Sequence, residues 1–325
     1  MFYNVNRPSV RFIGRWAPLR YGMAATAPGS SIELAFEGSE VTRYFDVQDL
    51  TLPFPHLFLE LDGGDLYETP VDRYLRVRAK KAGDHFLRIY FKGARETANR
   101  WHHPLQGYVL FTGFEAQGEG ALPKDGRKTL ELIGDSITEG VLIDPQYAPN
   151  GENDQYNRPY QDDALSTYGY LMAKKLDLIP LFCGYGATGV TKGGCGGVPS
   201  APETYPYCFE NAPVGYAPAD FTLINHGTND RHHPHLFKEG YTALLDLVFA
   251  RNENARVACL IPFCGAYAEE LKELVPAYAK EKGKKNALLL VDTAGWLPPD
   301  PLHPLREGHA LAATRLAEIL SSFFV

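Results

Sequence analysis

The chain has 325 residues, room for about two domains at roughly 150 residues each. With 45% apolar and 22% charged residues it has the makeup of an ordinary globular protein, which excludes an intrinsically disordered chain. Its 32 Lys and Arg stand against 39 Asp and Glu, a net charge of −7 with no long basic run. That argues against nucleic acid or an anionic membrane as partner.

No apolar run approaches the roughly 18 residues of a membrane span. The start, MFYNVNRPSVRFIGRW, has no continuous apolar core behind a basic head, so the expected location is the cytoplasm. Five cysteines, an odd number, all fall between Cys183 and Cys264 without a C-x-x-C pair. They read as reduced structural thiols.

Residues 1–122 alternate with period two. Ile32, Leu34 and Phe36 point one way, and Glu33 and Glu37 the other. Leu57, Leu59 and Leu61 repeat the pattern before the turn Asp62-Gly63-Gly64. Leu75 and Val77 alternate with Arg76 and Arg78, and Leu87, Ile89 and Phe91 with Arg88 and Lys92. Short alternating strands separated by turns, with no helical stretch between them, predict an antiparallel β-sandwich.

The rhythm changes after Gly118-Glu119-Gly120-Ala121-Leu122-Pro123, so a second domain is expected over 123–325. Apolar runs at 129–133, 178–183, 221–225, 256–263 and 287–291 predict strands. Helical patterns near 168–176, 236–251, 268–282 and 306–324 lie between and after them. The last puts Ala310, Ala313, Leu316, Ala317 and Leu320 on one face. This alternation predicts an α/β domain with a parallel sheet covered on both sides, and chemistry at the carboxyl ends of its strands. Two irregular stretches, 144–166 and 191–219, begin after strand ends and are expected to wall the site.

Three segments carry reactive side chains to those ends. Gly134-Asp135-Ser136-Ile137-Thr138 follows the first strand, Gly227-Thr228-Asn229-Asp230 the third, and Asp300-Pro301-Leu302-His303-Pro304 precedes the last helix. Each alone is ordinary turn or cap chemistry. Together they supply the parts of nucleophilic acyl transfer. Ser136 needs a base, His303 can be that base, and Asp300 is close enough in sequence to fix the ring tautomer. Asn229 and the Ser136 backbone N–H can meet an oxyanion, with a third donor from Gly189 in Gly184-Tyr185-Gly186-Ala187-Thr188-Gly189.

The order GDSIT, glycine block, GTND and DPLHP resembles the GDSL/SGNH hydrolase superfamily over residues 128–325. The resemblance implies a three-layer α/β/α fold with a flavodoxin-like parallel sheet. It implies Ser136 as nucleophile, His303 as base, Asp300 as its partner, and Gly189, Asn229 and the Ser136 amide as oxyanion donors. Gly14-Arg15-Trp16, 32–38 and 107–113 are similar to carbohydrate esterase family 2. That similarity implies an N-terminal jelly-roll sandwich and removal of O-acetyl groups from plant polysaccharides or their oligosaccharides, of xylo- or manno-type. Gly184 stands where many relatives have asparagine, which leaves the donor open between Gly186 and Gly189. Some carbohydrate esterases of that family lack the triad aspartate; Asp300 in the D-x-x-H position implies a full triad here.

Other candidates have plainer readings. Arg231-His232-His233-Pro234-His235 lacks helical ligand spacing and reads as a polar rim, not a metal site. The acids Asp144, Glu152, Asp154, Asp162 and Asp163 lack calcium-loop spacing. His226 reads as a structural histidine. His309 is a rival base, but sits inside the last helix. Trp101, Trp296 and the loop tyrosines are candidates for stacking on sugars, with Trp296 favoured because its segment leads into Asp300.

The leading expectation is a carbohydrate acetyl esterase with no cofactor and no metal, acting on an imported acetylated oligosaccharide. A lipase or thioesterase on short acyl esters is the second reading. A carbohydrate-binding protein with a vestigial hydrolase half is the third. The sequence leaves the oligomeric state open.

Overall fold

The computed structural model describes residues 1–151 and 154–324. Nine strands form one curled antiparallel sheet: β1 (Phe2–Asn4), β2 (Val10–Ile13), β3 (Ala17–Leu19), β4 (Gly22–Ala25), β5 (Ser31–Phe45), β6 (His56–Leu61), β7 (Tyr67–Pro70), β8 (Tyr74–Gly93) and β9 (Val109–Glu119). Their order is β3-β4-β9-β5-β8-β6-β7, with β1 on β9 and β2 on β5. The expected strands at 75–78 and 87–93 are two ends of the single strand β8. Register shifts near Gly38, where β5 pairs with β8 and with β9, mark the bulge at which β5 bends.

The alternating faces hold, with Glu33 and Lys92 as exceptions. Ile32, Leu34, Phe36, Leu57, Leu87, Ile89 and Phe91 are all buried in one apolar cluster. Each contributes about 1.5–3 kcal/mol on the usual burial scale. Glu33, expected to face water, is only 2% exposed. Its face of the sheet turns toward the second half of the chain, and Arg11 and Arg88 hold its carboxylate there. Arg43 is the opposite case. It is fully buried, its three guanidinium nitrogens have no hydrogen-bond partner among the described residues, and burial pushes it down to about 9.

Beyond 119, five strands form a parallel sheet: β10 (Thr129–Gly134), β11 (Ile179–Gly184), β14 (Phe221–Asn225), β15 (Arg256–Ile261) and β16 (Leu288–Asp292), in the order β11-β10-β14-β15-β16. A small hairpin, β12 (Tyr207–Phe209) with β13 (Ala212–Pro213), lies in the second long loop. The helices are α1 (Ser136–Glu139), α2 (Arg158–Gln161), α3 (Tyr168–Lys175), α4 (Ala201–Thr204), α5 (Phe237–Arg251), α6 (Ala268–Glu281) and α7 (Arg306–Phe324). Helices α3 and α7 pack with Leu130, Leu132, Leu223 and Leu260 on one face of the sheet. Helices α5 and α6 pack with Ile133, Ile224, Val257 and Ile261 on the other. These are the three layers expected from sequence. On α7, Ala310 is exposed and Ala312 takes its expected place in the core. The strand order reverses between β10 and β14, which puts the crevice of the sheet between the segments that follow them.

Three buried cations from the first half of the chain reach into the second half. Arg15 is fully buried and donates to the carbonyls of Tyr205 at 2.9 Å and Tyr207 at 2.6 Å, with Glu131 of β10 3.7 Å away. Lys92 donates to the carbonyls of Pro159, Tyr160 and Asp162, at 2.7 to 3.0 Å. Arg100 pairs with Glu139 at the end of α1, both side chains at most 1% exposed. Burial opposes the Arg100 charge, but Glu139 overrides it and holds the guanidinium above its usual range.

Breaking a buried pair leaves an uncompensated charge, whereas removing an unpaired one relieves it. Arg100→Met is expected to lower stability by about 3–5 kcal/mol in urea unfolding, with much of the loss recovered in Arg100→Met/Glu139→Gln. Arg43→Met is expected to unfold at equal or higher urea concentration than the wild type. A clear loss of stability there would reveal an unrecognised partner for Arg43.

Candidate active site

Strand β10 ends at Gly134, and α1 begins two residues later at Ser136. The turn between them is tight. A Cβ at Gly134 would lie 2.0 Å from Thr138 Oγ1, so only glycine fits. Asp135 caps α1 by accepting the Ile137 N–H at 3.0 Å. Burial pushes its carboxyl up to about 7. Thr138 Oγ1 meets the Tyr168 hydroxyl at 2.8 Å and ties the turn to α3.

His303 comes from the segment before α7. Its Nε2 lies 2.9 Å from Ser136 Oγ, a hydrogen bond that the serine hydroxyl donates when the ring proton is on Nδ1. Burial lowers the His303 pKa below its ordinary 6.5; the charge of Glu96 works against that and Arg158 works with it. Across 167 residues of sequence, the fold therefore places a hydroxyl and a base in contact.

The other expected members sit differently. Asp300 is exposed, and among the described residues no hydrogen bond joins its carboxylate to His303. Asn229, after β14, donates its amide to the Thr188 carbonyl at 3.0 Å and, more weakly, to Asp135 Oδ2 at 3.3 Å. The Gly189 N–H donates to the Lys192 carbonyl at 3.0 Å. The Gly186 N–H donates to Glu139 Oε2 at 2.5 Å. Between them, Ala187 stands at φ +59°, and its N–H has no acceptor among the described residues. Sequence reading passed over Ala187 because an alanine gives no signal of left-handed backbone.

The remaining candidates divide cleanly. Fully buried His309 accepts the Tyr168 N–H on Nδ1 at 3.0 Å, and burial pushes it down to about 3. It is a structural, neutral imidazole. His226 is also buried and pushed down to about 4. His232, His233 and His235 are exposed, and among the described residues no group of His, Cys, Asp or Glu forms a metal site. Trp101 is buried in an apolar cluster beside Tyr108 and Tyr185. Trp296 packs on the core under α7, with Arg315 over its ring at 5.6 Å.

The acidic loop is tied down at its margins. Arg306, three residues after His303, donates to Asp144, Asp163 and Ser166. Glu152 lies outside the described residues. Between this loop and β6–β7 lies a cavity of about 650 Å³, lined by His56, Glu68, Gln146, Tyr147 and Tyr160 among others. An adjoining cavity shares Glu68, Tyr147 and Tyr160 and reaches Asp144 and Arg306.

Residues 132–311 match the model of the GDSL-like lipase/acylhydrolase family. No curated protein sequence matches the chain. Among solved structures, a family two carbohydrate esterase from Cellvibrio japonicus aligns over 100% of this chain and 98% of its own, at TM-score 0.81 and 18% identity. An acetyl xylan esterase from the rumen bacterium Butyrivibrio proteoclasticus aligns over 99% and 98%, at TM-score 0.79 and 18% identity. A family two carbohydrate esterase from Clostridium thermocellum, solved with cellohexaose, aligns over 96% and 98%, at TM-score 0.74 and 20% identity. At these identities the likeness is one of fold, and it spans both sheets. The serine turn, the family match and the shared architecture agree: the chain belongs to the GDSL-like lipase/acylhydrolase family and is an ester hydrolase.

Proposed function

We propose that this hydrolase removes acetyl groups from oligosaccharides, with residues 1–122 and 123–325 as two domains that build the site together. The observation that carries the chemistry is the 2.9 Å contact between His303 Nε2 and Ser136 Oγ. Ser136 Oγ attacks the acetyl carbonyl and gives its proton to His303. The oxyanion meets the Ser136 and Ala187 N–H groups and the Asn229 amide, whose weak contact with Asp135 is readily exchanged. His303 then protonates the departing sugar oxygen. Water, deprotonated by the same ring, attacks the acyl-enzyme, and acetate leaves with Ser136 restored.

The sugar part of the reading is supported by the groove beside the loop at 144–166. Tyr147 and Tyr160 offer ring faces, and His56, Glu68 and Gln146 offer hydrogen-bonding groups. Flat aromatics among polar side chains suit polyhydroxylated rings better than a long acyl chain, which needs a continuous apolar cleft. The acetyl xylan esterase and the cellohexaose-bound esterase that share the fold point the same way.

Activity should fall as the acyl chain of p-nitrophenyl esters lengthens from acetate to octanoate, and acetylated xylo- or manno-oligosaccharides should lose 42-Da acetyl units in a mass spectrum, a mass change of about one ketene per ester hydrolysed. Ser136→Ala should abolish both activities and leave the thermal unfolding near that of wild type. Preference for octanoate would favour the lipase reading, and sugar binding without turnover in the wild type would favour a binding protein.

Because burial depresses His303, its neutral, proton-accepting form persists below pH 6.5. The acid limb of kcat/KM should therefore fall at a pH below 6.5. A limb above 6.5 would mean that another group controls the base.

A further inference from the structure

The antiparallel sheet holds a feature that ester hydrolysis does not use. On β5 the side chains alternate, and Val41, Arg43 and Phe45 are buried between half-buried Thr42 and Tyr44. Arg43 therefore takes a core position in an apolar stripe. Its register partner on β8 is Leu75, and that of Val41 is Val77, so these four side chains share one face. A cavity of about 480 Å³ lies against that face. Arg43, Leu75 and Val77 border it, with Leu59 and Leu61 of β6 and Leu87 from the far end of β8. Exposed Arg76, Arg78 and Asp65 supply the other charges of its lining, so among the described residues the cations outnumber the carboxylates. The Arg43 Nε, Nη1 and Nη2 are all buried with no hydrogen-bond partner among the described residues. An apolar residue of similar volume at this position spares the desolvation of a charge. The cation is thus a liability for folding, and the cavity beside it is where it can serve.

We propose that this cavity binds a small monocarboxylate with an apolar body, its carboxylate on the Arg43 guanidinium and its body among the leucines. A guanidinium presents a planar fork of donors that matches the two oxygens of a carboxylate. The ligand charge compensates the buried cation, and its oxygens satisfy donors that the protein leaves open. The leucine walls suit a hydrocarbon body better than a sugar, whose hydroxyls lose water there without gaining partners. An inorganic anion answers the charge but leaves the apolar walls uncovered. Arg43 is closed off from water, so its guanidinium lies under the floor of the cavity. Leu61, Leu75 and Val77 are only half-buried, and the lining side chains part to let the carboxylate reach it. Neither Ser136 nor His303 borders this cavity, so the site is separate from the acyl-transfer pair. Aliphatic and aromatic acids share the required chemistry.

The test is isothermal titration calorimetry of the full chain with octanoate and with cinnamate, using octanamide and acetate as controls. At least one of the two acids should bind, and the tighter one tells whether the body is aliphatic or aromatic. Octanamide keeps the body without the charge, and acetate keeps the charge without the body. Both should bind at least about tenfold more weakly than the better acid. Arg43→Met should weaken that acid by at least about tenfold, and Arg43→Lys, which keeps the charge without the fork, should fall between. Arg43→Met should turn over p-nitrophenyl acetate like the wild type, so lost binding is not lost structure. In urea, the better acid should raise the unfolding midpoint of the wild type and leave that of Arg43→Met in place. The proposal is overturned if neither acid binds at millimolar concentration, if Arg43→Met binds as tightly as the wild type, or if octanamide binds as tightly as octanoate. An acid held at the serine site instead would bind Arg43→Met unchanged, which is the second of these outcomes.

Discussion

The buried pair of Arg100 and Glu139 is the contact on which the site depends. Glu139 closes the short helix that Ser136 opens, and its second oxygen accepts the Gly186 N–H. One carboxylate thus joins the end of β10 to the end of β11, and its counter-ion comes from the segment between β8 and β9 of the antiparallel sheet. A four-residue helix has little stability of its own. Its position is borrowed from a cation about forty residues earlier in the chain. The two sheets are therefore tied together through this pair, which fixes the short helix against both.

The parallel sheet adds the other constraint. Its strand order reverses between β10 and β14, so the segments that follow them face each other across the crevice. Ser136 and Asn229 occupy those two segments. Glu131 shows the same logic in the interior of β10. It is a fully buried carboxylate in the middle of an apolar strand, satisfied by the hydroxyls of Tyr205 and Tyr216, the Asn252 amide and nearby Arg15.

What the sequence made legible was whatever repeats locally. Helix α7 appeared at its full extent, and β14 at its exact bounds, because hydrophobic periodicity is a local signal. The serine, the asparagine and the histidine stood out because each follows or precedes a periodic segment. Features set by distant contacts were hidden. Glu33 alternates like a surface residue, yet is buried between Arg11 and Arg88 beside a cavity that Arg127 and Tyr170 of the second half also line. Arg100 sits in an irregular segment with no motif, and acquires its meaning only from Glu139. Asp300 shows the same limit: three residues of spacing allow a contact with His303, but the path of the backbone decides whether it forms. The short helices α1, α2 and α4 were missed because a single turn shows no period.

The anchoring of the loop at 144–166 has a kinetic side. Lys92 grips its carbonyls from the antiparallel sheet, and Arg306 grips its carboxylates from the start of α7. The grips fall on Asp144 at one margin and on 159–163 at the other. A molecule entering the adjoining groove then meets margins already in place, as in pre-organised complexes whose backbone moves little on binding. The rate of association is then set by diffusion and orientation, and differences in affinity among ligands are carried by how long each one stays.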